Sequence, residues 1–153
     1  MDKLFCKNLS GYRYEAKAPC FIPFASTRTV LASQNQNIEH PYFKITNDGV
    51  FVKTGYAWDG ATGVLWQSKN LRVPSLVHDI GCQAVNLGLL PQSMQAIFDY
   101  EYRQQALKYG VSPLRAETHY AAILAWGEVK KLGLIKTRES TAKYAEIHEI
   151  KIL

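Results

Sequence analysis

Two residues in the second half of the chain, His78 and Asp99, are of the types that form a general-base pair. The sequence predicts helices over residues 75–87 and 91–109, joined by a turn that begins at Gly88. Both side chains are roughly 12–15 Å from that turn at the rise of an α-helix, so an antiparallel hairpin brings them to the same level. A carboxylate that binds one imidazole nitrogen orients the ring, and the other nitrogen can take a proton from water. The spacing therefore predicts a His–Asp general base.

Two further aspartates could hold a metal ion beside this pair. Asp79 follows His78 by one position, about 100° around the helix, and so points away from the dyad face. Asp59 lies in segment 55–63, where three glycines in nine residues are typical of a loop. Two carboxylates and loop carbonyls are the oxygen ligands that calcium prefers. Calcium there would polarise a carbonyl while the base activates water, which is the chemistry of ester hydrolysis.

Each of these residues also has a purely structural interpretation. A histidine on a helix is often buried and bonded to a neighbour, and Asp59 before Gly60 could simply bond its own backbone in a turn. Cys82 lies one helical turn after His78, which permits a nucleophilic Cys–His pair but favours packing of a small thiol. His119, with Glu117 and Arg115, could complete a polar site, but its place near the start of a third helix favours an exposed first turn.

The elements that must position these residues follow from the patterning of the chain. Residues 1–70 are β-rich, and segments 42–46 and 50–54 flank a turn of the Asn-Asp-Gly type that closes hairpins. Residues 73–133 have helical periodicity, and a glycine follows each of the three predicted helices, the last over 114–132. The tail, 134–153, permits either a packed strand or a mobile arm.

These elements predict one α+β domain over residues 1–153. In it, an N-terminal antiparallel β region packs on a C-terminal three-helix bundle. Ser75 is expected to be the N-cap of the first of these three helices, because serine accepts a hydrogen bond from the free backbone N–H groups there.

Composition narrows the class of protein. The net charge of +5 is scattered along the chain, which disfavours a nucleic-acid interface. Apolar runs fall far short of the ~20 residues of a membrane-spanning helix, and the first residues do not resemble a secretory signal. Three cysteines with neither a C-x-x-C pair nor a Cys/His ligand spacing predict free thiols, without a disulfide framework or a zinc site.

Part of the chain resembles the catalytic core of bacterial and fungal phospholipase A2. In that family a calcium loop precedes a helix with the pattern H-D-x-G-Y, and an aspartate follows on an antiparallel helix. The matching segments here are 58–60, 78–81 and 99–102, with Cys82 in the position of the family's tyrosine. The resemblance implies His78 as base, Asp99 as its orienting carboxylate, Asp79 and the Asp59–Gly60 loop as calcium ligands, and a phospholipid or other ester as substrate.

A second resemblance covers residues 42–127 and is to short phage and prophage proteins of unassigned function. Its patterns are Y-x-W-D-G-A-[ST] at 56–62, P-x-x-x-H-D at 74–79, D-x-x-[FY] at 99–102 and an aromatic-rich helix at 120–127. This resemblance implies a non-enzymatic alternative, a virion component or an accessory protein of the host cytoplasm that binds a phage or host protein.

A metal-dependent phosphohydrolase with an H, HD, D pattern is a further alternative, and it would use His40 as the first histidine. That motif is helical throughout, whereas His40 lies in strand-like sequence, which disfavours this class of enzyme.

Overall fold

The computed structural model describes residues 3–9, 14–60, 68–133 and 144–153, and they form the predicted α+β fold. The strands are β1 (Lys3–Leu9), β2 (Tyr14–Ala16), β3 (Cys20–Pro23), β4 (Ile38–Glu39), β5 (Phe43–Ile45), β6 (Gly49–Val52), β7 (Ala57–Trp58) and β8 (Tyr144–Lys151). The helices are α1 (Thr27–Ala32), α2 (Arg72–Asn86), α3 (Met94–Lys108) and α4 (Pro113–Lys131), with a 3-10 turn, Lys69–Leu71, leading into α2.

The strands form two antiparallel sheets, with the orders β7-β2-β1-β8 and β3-β6-β5-β4. The predicted hairpin is confirmed as β5–β6, in which Ile45 pairs with Val50 and the backbone N–H of Thr46 donates to the Gly49 carbonyl at 2.9 Å. The C-terminal strand β8 pairs with β1 at the edge of the first sheet. Residues 144–151 are therefore a packed strand and not an arm, while 134–143 lie outside the described residues.

The three predicted long helices are present, and glycines end them as expected. Gly88, Gly110 and Gly133 follow α2, α3 and α4, and each has a positive φ. The prediction that Ser75 is the N-cap of α2 is wrong. The helix begins at Arg72, and Ser75 lies within its first turn. The Ser75 hydroxyl donates to the Arg72 carbonyl and accepts from the Trp58 indole, so it ties α2 to strand β7 and caps no helix end.

Helix α1 is an element that the sequence analysis did not predict. Its six residues begin after Ser26, whose hydroxyl accepts from the Arg28 backbone N–H. The buried carboxylate of Glu101 on α3 accepts from the Ala25 and Ser26 backbone N–H groups and from the Thr29 hydroxyl. A residue far along the chain thus satisfies the donors at the start of α1.

One buried core joins the strands to the helices. It draws apolar side chains from both sheets, from α2 and α3, and from Ile152 after β8. A second, smaller cluster lies between α3 and α4 and includes Tyr102, Ala106 and Ile123. In the parts of the chain that the structure describes, no helix is long and apolar enough to cross a membrane.

Helices α2 and α3 pack tightly against each other at Gly81. A Cβ on this residue would lie 2.1 Å from Cγ of the buried Phe98 ring, so the absence of a side chain lets the two helices touch. We expect Gly81→Ala to lower the free energy of unfolding by about 1–3 kcal/mol, because the ring and helix must shift. Chemical denaturation measures this loss.

Gly127→Ala is the matched control for that substitution. Gly127 also lies within a helix, but nothing is within 4 Å of a Cβ placed on it. Its replacement should raise the free energy of unfolding by up to about 1 kcal/mol, the difference in helix propensity between alanine and glycine. Equal effects of the two substitutions would show that the contact with Phe98 does not limit helix packing.

Candidate functional site

The structure brings His78 and Asp99 together. Nε2 of His78 on α2 is 2.8 Å from Oδ1 of Asp99 on α3. Because a carboxylate can only accept a hydrogen bond, Nε2 of His78 is the donor. The His78 side chain is 13% exposed and lines an open cleft. Because Nε2 carries the proton shared with Asp99, Nδ1 is the nitrogen left to accept one.

Two more side chains complete the immediate surroundings of this pair. The Gln95 amide donates both to Oδ1 of Asp99, at 2.9 Å, and to Sγ of Cys82, at 3.1 Å. The Cys82 sulfur is 3.5 Å from Nε2 of His78. Gln95 was missed by the sequence analysis, although its position four residues before Asp99 on α3 puts it on the same helix face.

The pKa of His78 reflects these neighbours. Burial of the ring opposes the imidazolium, but the electrostatic effect of Cys82 and the hydrogen bonds to Asp79, Asp99 and Cys82 outweigh it. The pKa is raised well above 6.5. The ring therefore has to lose a proton before it can act as a base, and positive charge placed near it favours that loss.

A second pair of polar rings lies behind the dyad. The Tyr102 ring contacts His78 edge-on, with centroids 5.7 Å apart, and its hydroxyl is hydrogen-bonded to Nδ1 of His119 at 3.0 Å. Burial, followed by the negative charge of Asp79, raises the pKa of Tyr102, and burial lowers the pKa of His119. The prediction that His119 lies on an exposed turn is wrong, because the ring is buried against α3.

The dyad opens into a cleft of about 320 Å³ between α2, α3 and the second half of α4. Its α4 wall combines apolar and basic side chains, namely Ile123, Trp126, Lys130 and Lys131. Beyond Ile123 the helix buries no residue, so this wall is in contact with solvent. The cleft therefore offers both a cationic and an apolar surface within reach of the histidine.

The predicted calcium ligands are less closely grouped. Asp79 lines the cleft, and its Oδ1 is 3.6 Å from Nδ1 of His78. Asp59 is exposed after β7. Gly60 has a φ of 81°, the unusual backbone conformation expected of this loop, and the last residues of the loop, 61–63, lie outside the described part of the chain. Trp58, the residue before Asp59, is buried.

Among the described residues, one group of three or more potential metal ligands has its donor atoms within 4.8 Å of one another: His78, Cys82 and Asp99. Asp59 and Asp79 do not belong to it. His40, the residue required for a phosphohydrolase motif, stacks on Phe43 in the β region with ring centroids 4.3 Å apart.

Comparisons of the chain with protein-family models, curated proteins and solved structures found no match.

Proposed function

We propose that this protein is a calcium-dependent ester hydrolase with chemistry of the phospholipase A2 type. The observation that carries the proposal is the 2.8 Å contact between Nε2 of His78 and Oδ1 of Asp99 beside an open cleft. A buried carboxylate that fixes one imidazole nitrogen leaves the other in a defined direction, as general-base catalysis requires.

The proposed reaction uses Nδ1 of His78 as the base. A water molecule gives a proton to Nδ1 while its oxygen bonds to the ester carbonyl carbon, and the proton later passes to the leaving alkoxide as the ester C–O bond breaks. Asp99 stabilises the imidazolium that forms in between. Because the pKa of His78 is raised, the free base is favoured by alkaline conditions and by positive charge near Asp79.

Calcium is the proposed source of that charge. The carboxylates of Asp59 and Asp79 are both accessible to solvent, and with the Gly60 carbonyl they supply the oxygen donors that calcium takes. The hydrogen bond from Trp58 to Ser75 ties the segment that bears Asp59 to the helix that bears Asp79. When bound, calcium would stabilise the developing oxyanion of the ester.

The cleft favours an amphiphilic, anionic ester as substrate. Lys130 and Lys131 would attract a phosphate group, and the exposed indole of Trp126 with Ile123 would contact an acyl chain. A phospholipid combines both features in one molecule.

The proposal is tested by fatty-acid release from vesicles of an anionic phospholipid and from vesicles of phosphatidylcholine, with calcium or with a chelator. We expect release that requires calcium and is faster from the anionic vesicles. A folded protein that releases no fatty acid from either kind of vesicle at any calcium concentration would contradict the proposal.

Asp79→Asn tests the calcium ligands directly. We expect the calcium concentration for half-maximal activity to rise by about tenfold or more, because an amide is a weaker ligand than a carboxylate for this hard cation. Asp59→Asn should act in the same direction. Asp48→Asn, an exposed aspartate of the β5–β6 turn, is the matched control and should leave the calcium dependence unchanged. An unaltered calcium titration in both test variants would remove Asp59 and Asp79 from the proposed site.

A second candidate function is the non-enzymatic one, a phage component that binds a phage or host protein in the virion or the host cytoplasm. It is favoured by large exposed apolar side chains at the two ends of α4, where Leu114 is 80% exposed and Leu132, just after the helix, is 72% exposed. Co-sedimentation of the protein with phage particles, lost when both leucines are replaced by aspartate, would support it. Truncation after Leu134 is a poor test, because it removes strand β8 from its sheet.

A further inference from the structure

Three side chains of metal-binding type converge beside the cleft. Nε2 of His78 is 2.8 Å from Oδ1 of Asp99 and 3.5 Å from Sγ of Cys82, and all three donor atoms lie within 4.8 Å of one another. Zinc bonds of about 2.0–2.3 Å at the tetrahedral angle put ligand atoms roughly 3.3–3.7 Å apart. The distance between Nε2 and Sγ is already within that range, whereas Nε2 and Oδ1 would have to separate by about half an ångström to surround an ion.

The Gln95 amide shows where a positive charge is favourable. Its nitrogen donates to the Cys82 sulfur and to the Asp99 carboxylate together, so it lies between two groups that carry negative charge when ionised. A cation at this position would replace the amide and would gain His78 as a third ligand. Rotation of the side chain could then present the amide oxygen as a fourth.

We propose that His78, Cys82 and Asp99 form a binding site for a divalent transition-metal ion of the zinc class. A thiolate and an imidazole select such ions over calcium, which prefers oxygen ligands alone. All three side chains are largely buried or partly buried, yet they border the open cleft, so an ion can enter and a water molecule can complete its coordination. The two helices that carry the ligands are held together at Gly81 and Phe98.

This site differs from the calcium site of the proposed hydrolase. When a metal ion occupies it, the hydrogen bond between His78 and Asp99 cannot form. An ion on Nε2 of His78 separates that nitrogen from Asp99, so the ring no longer has an orienting carboxylate. Zinc should then inhibit a hydrolase that calcium activates. The cysteines were expected to form no zinc site because neither a C-x-x-C pair nor a Cys/His ligand spacing was identified, yet His78 and Cys82 share a helix face four residues apart.

Cobalt(II) is the probe for this site, since it replaces zinc and its thiolate complexes absorb light. We expect the wild-type protein to bind one equivalent and to develop a sulfur-to-cobalt charge-transfer band, which added zinc abolishes. Cys82→Ser should lose the band, and His78→Gln and Asp99→Asn should weaken cobalt binding by about 100-fold or more, since even residues that only support a ligand cost 10–100-fold. Cys20→Ser is the matched control, because this buried cysteine lies in β3 and is not one of the three ligands, and it should keep the band.

A second measurement uses the wild-type protein alone. Alkylation of the thiols, mapped by mass spectrometry, should be slowed by zinc at Cys82 and unaffected at Cys20. The proposal is overturned if the wild-type protein develops no charge-transfer band with cobalt, if Cys82→Ser keeps that band, or if zinc leaves alkylation of Cys82 unchanged. None of these measurements uses a substrate, so the metal site and the hydrolase can fail independently.

Discussion

His78→Gln is expected to reduce the rate of phospholipid ester hydrolysis by about 10²–10⁴-fold, the usual contribution of a general base. Glutamine can still donate a hydrogen bond to Asp99, but it has no nitrogen that accepts a proton near neutral pH. The side chain borders the cleft and lies outside the main core cluster, so the fold should persist. Initial rates of fatty-acid release, measured beside thermal unfolding, check both parts.

Two further variants show whether that loss belongs to the dyad. His40→Gln removes a histidine that stacks on Phe43 in the β region, and it should keep the wild-type rate. Asp99→Asn should lower kcat with little change in KM, because Asp99 orients the base and does not bind substrate. A rate for His78→Gln within about threefold of wild type would place catalysis elsewhere, given the size of a general-base effect.

Glu101→Ala is expected to lower the free energy of unfolding by about 3–5 kcal/mol, because each buried donor left without an acceptor costs about 1–3 kcal/mol. The Glu101 carboxylate is fully buried and accepts from four donors, the backbone N–H groups of Ala25 and Ser26, the Thr29 hydroxyl and the Gln105 amide. Without it those donors stay buried, and α1 loses its attachment to α3. Chemical denaturation at neutral pH measures the loss.

Glu117→Ala is the control for that substitution. Glu117 is an exposed glutamate whose carboxylate pairs with Arg103, and such surface pairs contribute about 1 kcal/mol or less. Its loss should be small. If the two substitutions have equal effects, the buried network does not contribute the stability that its geometry suggests.

The pH dependence of the Glu101 effect has a defined sign. Burial raises the pKa of Glu101 above 4.5, although the hydrogen bonds from Ala25, Thr29, Gln105 and Ser26 oppose the shift. A carboxyl whose pKa is higher in the folded state adds stability that is complete below the unfolded pKa and declines as pH rises through the folded value. The stability of wild type relative to Glu101→Gln should therefore fall as the pH increases above 4.5.

The contact between His78 and Asp99 could be predicted because it depends on local features. Helix periodicity, the glycine after each helix and the rise per residue place both side chains at one level. The roles of Gln95 and Cys82 depend on how α2 and α3 are rotated about their own axes. Rotation is decided by close packing at Gly81 and Phe98, which no spacing along the chain discloses.

Other elements depend on contacts between distant residues. Six residues are too few to form a stable helix alone, so α1 exists because Glu101 and Ser26 satisfy its first turn. Serine is a common N-cap residue, but the Ser75 hydroxyl instead accepts a hydrogen bond from the Trp58 indole and so connects a strand to a helix. The alternation in the C-terminal tail permitted a strand and contained no information about its partner, β1.

The pairing of β1 with β8 also constrains how the protein can be made. Leu4 pairs with Ile150, so one side of β1 has no partner until the ribosome has translated nearly all the residues between them. An unpaired strand edge can pair with a strand of another chain. A nascent chain would therefore expose the unpaired edge of β1 until its last residues are synthesised. If translation stopped before residue 144, the released product would be prone to aggregation through this edge.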